Sequence, residues 1–392
     1  MTDSRLARQT AERLIGSRAQ LLKFTCLLGF DGFLDTILQV VEQRQTATKY
    51  LPYTSIKPFA KKVGEAAGKS ANFEVVPTME KIGGNGPLMA FAMSTLGAPV
   101  EYMGMCGYPK VHPVFEEFAK RAKVHSFAEP ALTSALEFND GKIMLGQHAS
   151  VQDANWETII KRLGDKLVQK LWTSADFVGM VNWTMLPHMS AIWKKLLTEY
   201  KPVKAGKRKH MFFDLADPAK RIEADLLAAL KIIAEFQTDN DVTLGLNESE
   251  ALHVAKVLRL KGAAKNPKGY ASLAGAIREK MGVSVVVIHP VQYACAANAE
   301  EEVFVNGPYT SKPKISTGAG DHFNAGFAIG RLLGLGLAHS LQLAVSASGF
   351  YVRHANSPNR EQLVVYGHDP VCAGSGRLVS VNVNEESAVL AP

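Results

Sequence analysis

The chain has, between residues 314 and 327, a glycine-rich turn that leads into a helical pattern: Lys314-Ile-Ser-Thr-Gly-Ala-Gly-Asp-His-Phe-Asn-Ala-Gly-Phe327. The small residues Gly318, Ala319 and Gly320 allow backbone N–H groups to approach an anion at the helix N-terminus, where the helix dipole also favours negative charge. Asp321 follows at once, and a carboxylate beside a phosphate fits a base that takes a proton from an attacking hydroxyl. The turn therefore indicates phosphoryl transfer to an alcohol. The alternative is an ordinary turn with an acidic residue in the first helical turn.

A second glycine-rich loop lies upstream, in Lys81-Ile-Gly-Gly-Asn-Gly-Pro-Leu-Met-Ala-Phe-Ala-Met-Ser-Thr-Leu-Gly97. Pro87 suits the first position of a helix, and the apolar residues after it recur at helical spacing. Gly83 and Gly84 therefore belong to a tight loop that enters a helix. Such a loop lets a ligand approach the backbone closely.

A third segment, Leu244-Gly-Leu-Asn-Glu-Ser-Glu250, is an apolar strand that ends in two polar side chains. Asn247 and Glu250 lie three residues apart at a strand-to-helix junction. Mg²⁺ keeps several waters and needs few protein carboxylates, so this pair can hold a hydrated ion. The alternative is a helix cap, in which both side chains bind the backbone instead.

In this order, the three segments resemble the motifs of the ribokinase or PfkB carbohydrate kinase family, from about residue 29 to about residue 354. The resemblance implies an α/β chain with a ribokinase-like three-layer α/β/α fold, a mostly parallel central sheet and a small lid. It also implies that Asp321 is the catalytic base, that the amides of residues 318–320 form the anion hole, and that Glu250 with Asn247 orders Mg²⁺ and phosphate. Two further positions are assigned to the nucleotide by this resemblance, His289 and Asn356.

The substrate side follows the first apolar run, residues 21–30, which gives way to Asp31-Gly-Phe-Leu-Asp35. Carboxylates at the carboxyl end of an inner strand lie where open α/β sheets bind ligands. By the resemblance, Asp35 hydrogen-bonds sugar hydroxyls, while Asp31 stands where many relatives have Asn. The alternative is that one or both cap a turn. The other substrate positions that the resemblance implies are Gly83, Gly84, Asn85 and Asn182.

Short apolar strands alternate with helical patterns, which predicts βαβ units and a mostly parallel sheet. The predicted strands cover residues 101–107, 177–183, 210–216, 242–247 and 284–290. Polar residues follow these strands and predict one cleft at one edge of the sheet: Asn182, Asp214, Asp217, Asn247 and His289.

Two segments break the alternation and are predicted to form the lid, about 36–79 and about 127–150. The first includes a helical stretch over residues 55–67. The second includes a hairpin over residues 133–147, with its turn at residues 139–141. We expect a single kinase domain over residues 1–392, with a C-terminal extension from about 367 to 392 that has one last strand.

The chain departs from the family pattern at three places. Ile315 stands where the second signature usually has Asp, which puts a monovalent-cation site in doubt. Leu88 stands where the first motif usually has Asn. The strand that ends in His289, with Tyr293 four residues later, is closer to the ADP-dependent sugar kinases of the same superfold, so ADP remains an alternative donor.

The chain has 392 residues, of which 47% are apolar and 21% are charged, so it can bury a large hydrophobic core. The net charge is 44 − 37 = +7 and is spread along the chain, which suits anionic nucleotides without indicating nucleic acid. No apolar run reaches the roughly 18 residues of a membrane span, and the N-terminus lacks the apolar core of a secretory signal. Eleven histidines lack zinc-ligand spacing. The four cysteines lack paired spacing, which favours a reducing cytoplasm: Cys26, Cys106, Cys295 and Cys372.

We therefore predict a carbohydrate kinase that transfers the terminal phosphoryl group of ATP to a sugar hydroxyl with Mg²⁺. We expect it to bind a sugar or nucleoside and a purine nucleotide, but neither nucleic acid nor a membrane. A homodimer that forms through the lid is a further possibility. The alternatives are a nucleoside kinase, an ADP-dependent sugar kinase, and a catalytically silent regulator that binds a sugar or nucleotide.

Overall fold

The computed structural model describes residues 3–200 and 208–368. The predicted C-terminal extension and its last strand lie almost wholly outside these residues, as does Cys372. The described strands, in chain order, are β1 (Cys26–Phe30), β2 (Phe33–Arg44), β3 (Tyr50–Pro52), β4 (Val75–Gly83), β5 (Val100–Gly104), β6 (Lys123–Ser126), β7 (Ala131–Phe138), β8 (Gly141–Gln147), β9 (Phe177–Met180), β10 (His210–Asp214), β11 (Asp241–Asn247), β12 (Val285–His289), β13 (Tyr293–Ala297) and β14 (Glu302–Asn306).

The described helices surround the strands on both sides. In chain order they are α1 (Asp3–Gly16), α2 (Arg18–Leu21), α3 (Ile56–Gly64), α4 (Asn85–Thr95), α5 (Glu116–Ala119), α6 (Trp156–Leu163), α7 (Asp165–Ser174), α8 (Met189–Glu199), α9 (Glu223–Phe236), α10 (Glu248–Val257), α11 (Pro267–Met281), α12 (Ala319–Leu332), α13 (Leu337–His354) and α14 (Arg360–His368).

Nine strands form the large sheet, in the order β14-β13-β12-β11-β10-β9-β1-β5-β6. Neighbours from β12 to β6 are parallel, whereas β13 and β14 form an antiparallel edge. Because each parallel connection crosses over through a helix, the sheet is covered on both faces. The predicted three-layer α/β/α fold with a mostly parallel sheet is confirmed.

Side chains of the buried strands alternate between the two faces, as strand geometry requires. In β12, Val286 and Ile288 pack in the core that contains α6 to α11. Val285 and Val287 pack in the opposite core, with α1, α4, α12 and α13. The five strands predicted between residues 101 and 290 are all present, each within a few residues of its expected bounds.

The small sheet is made by β2, β3, β4, β7 and β8, which come from the two segments expected to form the lid. Its strands run in the order β3-β2-β7-β8, and β4 pairs with β2. The predicted hairpin is formed by β7 and β8, which pair from Phe138 and Gly141 outward. The helix α3 covers one face through Phe59, which packs against Leu38 and Leu136.

The structure also bears on membrane-spanning helices and on the state of the cysteines. No helix in residues 3–200 and 208–368 has the length and apolar character needed to cross a membrane. Within the same residues, Cys26, Cys106 and Cys295 are buried free thiols.

Candidate active site

The site forms where the carboxyl ends of the parallel strands meet the beginnings of two helices. Asp31, Asn182 and Asp214 lie at the ends of β1, β9 and β10. Asn85 begins α4, and its side-chain Nδ2 donates to Oδ1 of Asp321 in the first turn of α12, at 2.9 Å. The two glycine-rich segments of the sequence therefore meet at the carboxylate that was predicted to be the base.

Asp321 is buried, with 4% of its surface exposed. Burial raises the pKa of the Asp321 carboxyl well above its ordinary value, and the negative charge of Asp214 raises it further. The hydrogen bond from Asn85 acts in the opposite direction because it stabilises the ionised form. A carboxyl with a raised pKa is a stronger base once it is ionised, which suits removal of a proton from an alcohol.

The glycine-rich turn predicted to bind an anion precedes Asp321. Gly318 adopts a left-handed conformation with φ of 92°, which favours glycine, and α12 begins at the next residue. The Ala319 N–H donates to the Ser316 carbonyl oxygen at 3.1 Å and closes the turn. Within the described residues, the N–H groups of Gly318 and Gly320 have no protein acceptor. These two groups are candidate donors to an anion, whereas the third predicted amide, that of Ala319, is used to close the turn.

His289 ends β12 beside this turn. A Cβ placed on Gly320 would lie 3.5 Å from Cε1 of His289. The imidazole packs on the Phe323 ring with centroids 4.7 Å apart. Burial lowers the pKa of His289 to about 4, so the ring is neutral at pH 7 and can offer an N–H or an acceptor nitrogen without charge.

Asp31 is fully buried at the base of the cleft. Its carboxylate accepts hydrogen bonds from the N–H groups of Asn85 and Gly86, both at 2.9 Å, and from Nδ2 of Asn182 at 2.7 Å. A side chain on Gly86 would strike the Asp31 carboxylate and the Tyr102 hydroxyl, which explains this glycine. Burial raises the pKa of Asp31 to about 6. The carboxylate thus faces protein groups and fixes the start of α4.

Asn182 has the left-handed φ of 62° and is 2% exposed. Its Nδ2 is held by Asp31, whereas its Oδ1 has no hydrogen-bond partner in the described residues. A buried amide oxygen without a donor is unfavourable unless a ligand or water supplies one. This oxygen is therefore a candidate acceptor for a substrate hydroxyl.

Asp35 lies on β2, in the middle of the small sheet. Its register partners are Lys81 on β4 and Thr133 on β7. Burial raises the pKa of Asp35, and the nearby Lys81 ammonium and the Thr133 hydroxyl partly oppose that effect. Gly83 ends β4 against the same carboxylate, since a Cβ there would lie 2.5 Å from Oδ1 of Asp35. The small sheet thus supplies one buried carboxylate, and Gly84 connects β4 to α4.

Asn247 and Glu250 form a reciprocal capping box at the start of α10. Oδ1 of Asn247 accepts from the Glu250 N–H at 3.0 Å, and Oε2 of Glu250 accepts from the Asn247 N–H at 2.8 Å. Oε1 of Glu250 also accepts from the Asp217 N–H at 2.7 Å. Burial, with the negative charge of Asp214, raises the pKa of Glu250 to about 7. The helix cap considered as the alternative reading of this pair is present.

One contact at the site was not predicted from the sequence. Asn324 donates from Nδ2 to Oδ2 of Asp214 at 2.6 Å, which links α12 to the end of β10. The sequence did contain a signal for this residue, because Asn324 follows Asp321 by three residues in the predicted helix and so lies on the same helix face. By contrast, Asn356, which the resemblance assigned to the nucleotide, has an exposed side chain in the bend after α13.

Comparison with known proteins shows the family of the chain. The family model of prokaryotic ketohexokinase matches residues 6–368. The chain belongs to the prokaryotic ketohexokinase family. A ketohexokinase of Haloferax volcanii is 29% identical over 354 residues, which are 90% of this chain and 91% of the relative. The protein is a carbohydrate kinase, a phosphotransferase that acts on a sugar hydroxyl, as predicted.

Solved structures show the same fold at low sequence identity. The ribokinase of Arabidopsis thaliana, solved with ribose and ATP, has a TM-score of 0.60 and 16% identity, and the match covers 88% of this chain and 98% of the ribokinase. A nucleoside kinase of the ribokinase family from Methanocaldococcus jannaschii has a TM-score of 0.57 and 14% identity, over 88% and 98% of the two chains. The ribokinase-like fold predicted from the motifs is confirmed.

Proposed function

We propose that the protein transfers the terminal phosphoryl group of ATP to a hydroxyl of a ketohexose. The observation that carries the proposal is the Asp321 carboxylate, which Asn85 holds beside the glycine turn at the start of α12. Membership of the ketohexokinase family supports the choice of a ketohexose.

In the proposed reaction, Asp321 accepts the proton of the sugar hydroxyl while the hydroxyl oxygen bonds to the terminal phosphorus. The bond from that phosphorus to the bridging oxygen breaks, and ADP leaves. The N–H groups of Gly318 and Gly320 donate to the phosphoryl oxygens, where negative charge must be stabilised throughout the transfer. The neutral His289 lies beside this turn and can donate to the same phosphates without charge.

On the sugar side, Asp35 and the unpartnered Oδ1 of Asn182 are the proposed acceptors for sugar hydroxyls. We assign Asp31 a positioning role in place of the direct sugar contact suggested by the sequence, because protein donors enclose its carboxylate. Closure of the small sheet over the sugar would exclude water, which otherwise competes as phosphoryl acceptor.

Mg²⁺ fits the donor side as a hydrated ion. In residues 3–200 and 208–368, no group of three or more His, Cys, Asp and Glu side chains could hold a metal by itself. Both oxygens of Glu250 accept backbone N–H groups, and Asp214 lies near enough to raise its pKa. Glu250 and Asp214 would therefore hold the ion through its waters, and nucleotide phosphates would complete its shell. When bound, Mg²⁺ supplies positive charge that stabilises the transferring phosphoryl group.

A homodimer through the lid is proposed as the assembly. Met79 and Met144 are 59% and 50% exposed on the small sheet. They pair with Ile37 and Ala135, which are themselves register partners, so both lie on the face that also has Asp35. Analytical ultracentrifugation of the full chain and of a Met79→Lys, Met144→Lys variant tests this, with a shift toward monomer expected in the variant.

The proposed location of the protein is the cytoplasm. The buried free thiols are compatible with this reducing compartment.

The reaction is tested with a matrix of acceptors and donors. A ketohexose such as fructose, an aldohexose such as glucose, ribose and adenosine are each assayed with ATP and with ADP in excess Mg²⁺. We expect the highest kcat/KM for the ketohexose with ATP. Preference for adenosine would establish a nucleoside kinase, and preference for ADP would establish the ADP-dependent alternative. Sugar binding by calorimetry without turnover of any pair would establish a silent regulator.

A further inference from the structure

The anion-binding turn is held from behind by two stacked rings. His322, which follows Asp321, is 1% exposed, and its ring stacks on Tyr351 of α13 with centroids 3.7 Å apart and planes 15° apart. Nδ1 of His322 lies 2.7 Å from the Gly318 carbonyl oxygen. The Tyr351 hydroxyl donates to the Thr317 carbonyl oxygen at 3.0 Å. Two consecutive carbonyls of the turn are therefore each bound by a side chain.

These contacts determine where the turn points its N–H groups. A peptide unit is planar and trans, so its C=O and N–H point in opposite directions. The Thr317 carbonyl shares a peptide with the Gly318 N–H, one of the two donors open to an anion. When Tyr351 binds that carbonyl, it also fixes the direction of the Gly318 N–H. His322 does the same for the next peptide, whose N–H closes the turn onto Ser316.

The hydrogen bonds also fix the tautomer of His322. A carbonyl oxygen only accepts, so Nδ1 must be the protonated nitrogen. Nε2 lies 2.7 Å from the Ser357 hydroxyl, which then donates to it. Burial lowers the pKa of His322 to about 4, so the ring stays neutral near pH 7. With both nitrogens engaged, His322 cannot bind phosphate directly without losing these contacts.

We propose that His322 and Tyr351 are positioning residues of the anion hole, which aim the Gly318 N–H at the transferring phosphoryl group. This inference rests on the proposed function of the turn. It assigns a role to His322, the residue that follows the proposed base. The turn also packs directly on Tyr351, since a Cβ on Gly318 would lie 3.0 Å from the Tyr351 hydroxyl.

The test uses variants that separate the hydrogen bonds from the packing. Tyr351→Phe keeps the stacked ring and removes only the hydroxyl. His322→Asn keeps an N–H donor near the Nδ1 position, whereas His322→Leu removes it at similar volume. His354→Leu is the matched control: this histidine also stacks on a ring, Phe350, and its Nδ1 also contacts a carbonyl of α13, but away from the turn.

We expect Tyr351→Phe and His322→Leu each to lower kcat by about 10-fold, less than the 10²–10³ typical when an oxyanion donor is removed altogether. The KM for the sugar should stay within about twofold, and His322→Asn should recover most of the kcat. Affinity for ATP should fall while affinity for AMP, which lacks the terminal phosphate, does not. His354→Leu should leave kcat unchanged even where its melting temperature falls.

Two results would overturn the inference. One is native kcat in both Tyr351→Phe and His322→Leu at a temperature where each is folded. The other is an equal loss in His322→Asn and His322→Leu, which would assign the effect to packing. Asp321→Asn, assayed in parallel, distinguishes a failure of the positioning role of His322 and Tyr351 from a failure of the proposed function. If Asp321→Asn is inactive while these variants are normal, only this inference fails; if Asp321→Asn is active, the proposed function fails and this inference with it.

Discussion

The two sides of the cleft, as we propose them, offer opposite kinds of hydrogen-bonding group to their ligands. The donor side offers backbone N–H groups at the start of α12, in the layer that covers the large sheet. The acceptor side offers oxygen atoms, from Asp35 on the small sheet and from Asn182 at the end of β9. A phosphate needs hydrogen-bond donors, whereas sugar hydroxyls need acceptors. Asp321 is proposed to act between the two sides, where its negatively charged carboxylate accepts the proton of the sugar hydroxyl.

This division predicts which kinetic constant each substitution changes. Backbone donors and the base act in the chemical step, so changes on the donor side should lower kcat. Side-chain acceptors on the small sheet bind the sugar before the reaction, so changes there should raise its KM or Kd. Each of the following experiments can contradict that division.

The largest effect is expected for Asp321→Asn. The variant keeps the shape and the contact with Asn85 but cannot accept the proton, and general-base catalysis contributes about 10²- to 10⁴-fold. The kcat should fall by that factor while the affinities for sugar and nucleotide change little. Single-turnover kinetics and calorimetry measure the two quantities separately.

A control for this variant is Asp239→Asn, which removes a carboxylate from an exposed turn after α9. Its kcat should equal that of the unmodified protein. Near-native turnover in Asp321→Asn would show that another group takes the proton, and the assignment of the base would be wrong.

Asp35→Ala should weaken sugar binding by about 10- to 150-fold, because hydrogen bonds to a charged group contribute roughly 1.5–3 kcal/mol. Nucleotide affinity should hardly change. Glu80→Ala is the matched control, since Glu80 is an exposed carboxylate on the neighbouring strand with its side chain on the opposite face. Equal loss of sugar and nucleotide binding in Asp35→Ala, or no loss of either, would show that the two sides are not separate.

The sequence predicted local features of this cleft better than its long-range contacts. Glycine spacing, helix starts and strand ends are local properties, so the two turns and the strands of the large sheet could be located. The hydrogen bond between Asn85 and Asp321 joins residues 236 positions apart, and no local pattern indicates it. Packing also determines what the Asp31 carboxylate contacts, which is the first N–H groups of α4 and the side-chain amide of Asn182.

The geometry answers only half of the question that the sequence left open at Asn247 and Glu250. Asn247 and Glu250 fit both a helix cap and a magnesium site, and the capping box is present. A cap does not exclude the second role, because a carboxylate can accept more hydrogen bonds than its two backbone donors supply. The magnesium role of Glu250 therefore stays a prediction, and it needs its own experiment.

Glu250→Gln should raise the Mg²⁺ concentration for half-maximal rate several-fold, because one negative charge near the hydrated ion is lost. Both carboxylate oxygens accept backbone N–H groups, so the amide also weakens the cap, by about 0.5–2 kcal/mol. The melting temperature must therefore be measured beside the Mg²⁺ titration. Glu248→Gln, in the same helical turn, is the control, since Glu248 accepts from the Tyr270 hydroxyl. An unchanged titration with a lower melting temperature would leave Glu250 as a cap alone.

The smallest expected effect is a pair of opposite shifts in the pH profile. Asp321 must be ionised to act as a base, so kcat/KM falls as pH drops through its pKa in the free enzyme. Burial and the charge of Asp214 raise that pKa, and the hydrogen bond from Asn85 lowers it. Asp214→Asn removes a negative charge, so the acidic limb should move to lower pH. Asn85→Leu removes the hydrogen bond, so the limb should move to higher pH.

Each shift should be about one pH unit or less, which corresponds to at most about 1.4 kcal/mol of interaction with the ionised carboxylate. Because the charge of Asp214 acts on both Glu250 and Asp321, the acidic limb reports the group of carboxyls together, and the direction of each shift is the decisive observation. The limb should be absent from the residual activity of Asp321→Asn. Shifts of Asp214→Asn and Asn85→Leu in the same direction would mean that the limb belongs to another group, and that the contact between Asn85 and Asp321 does not tune the base.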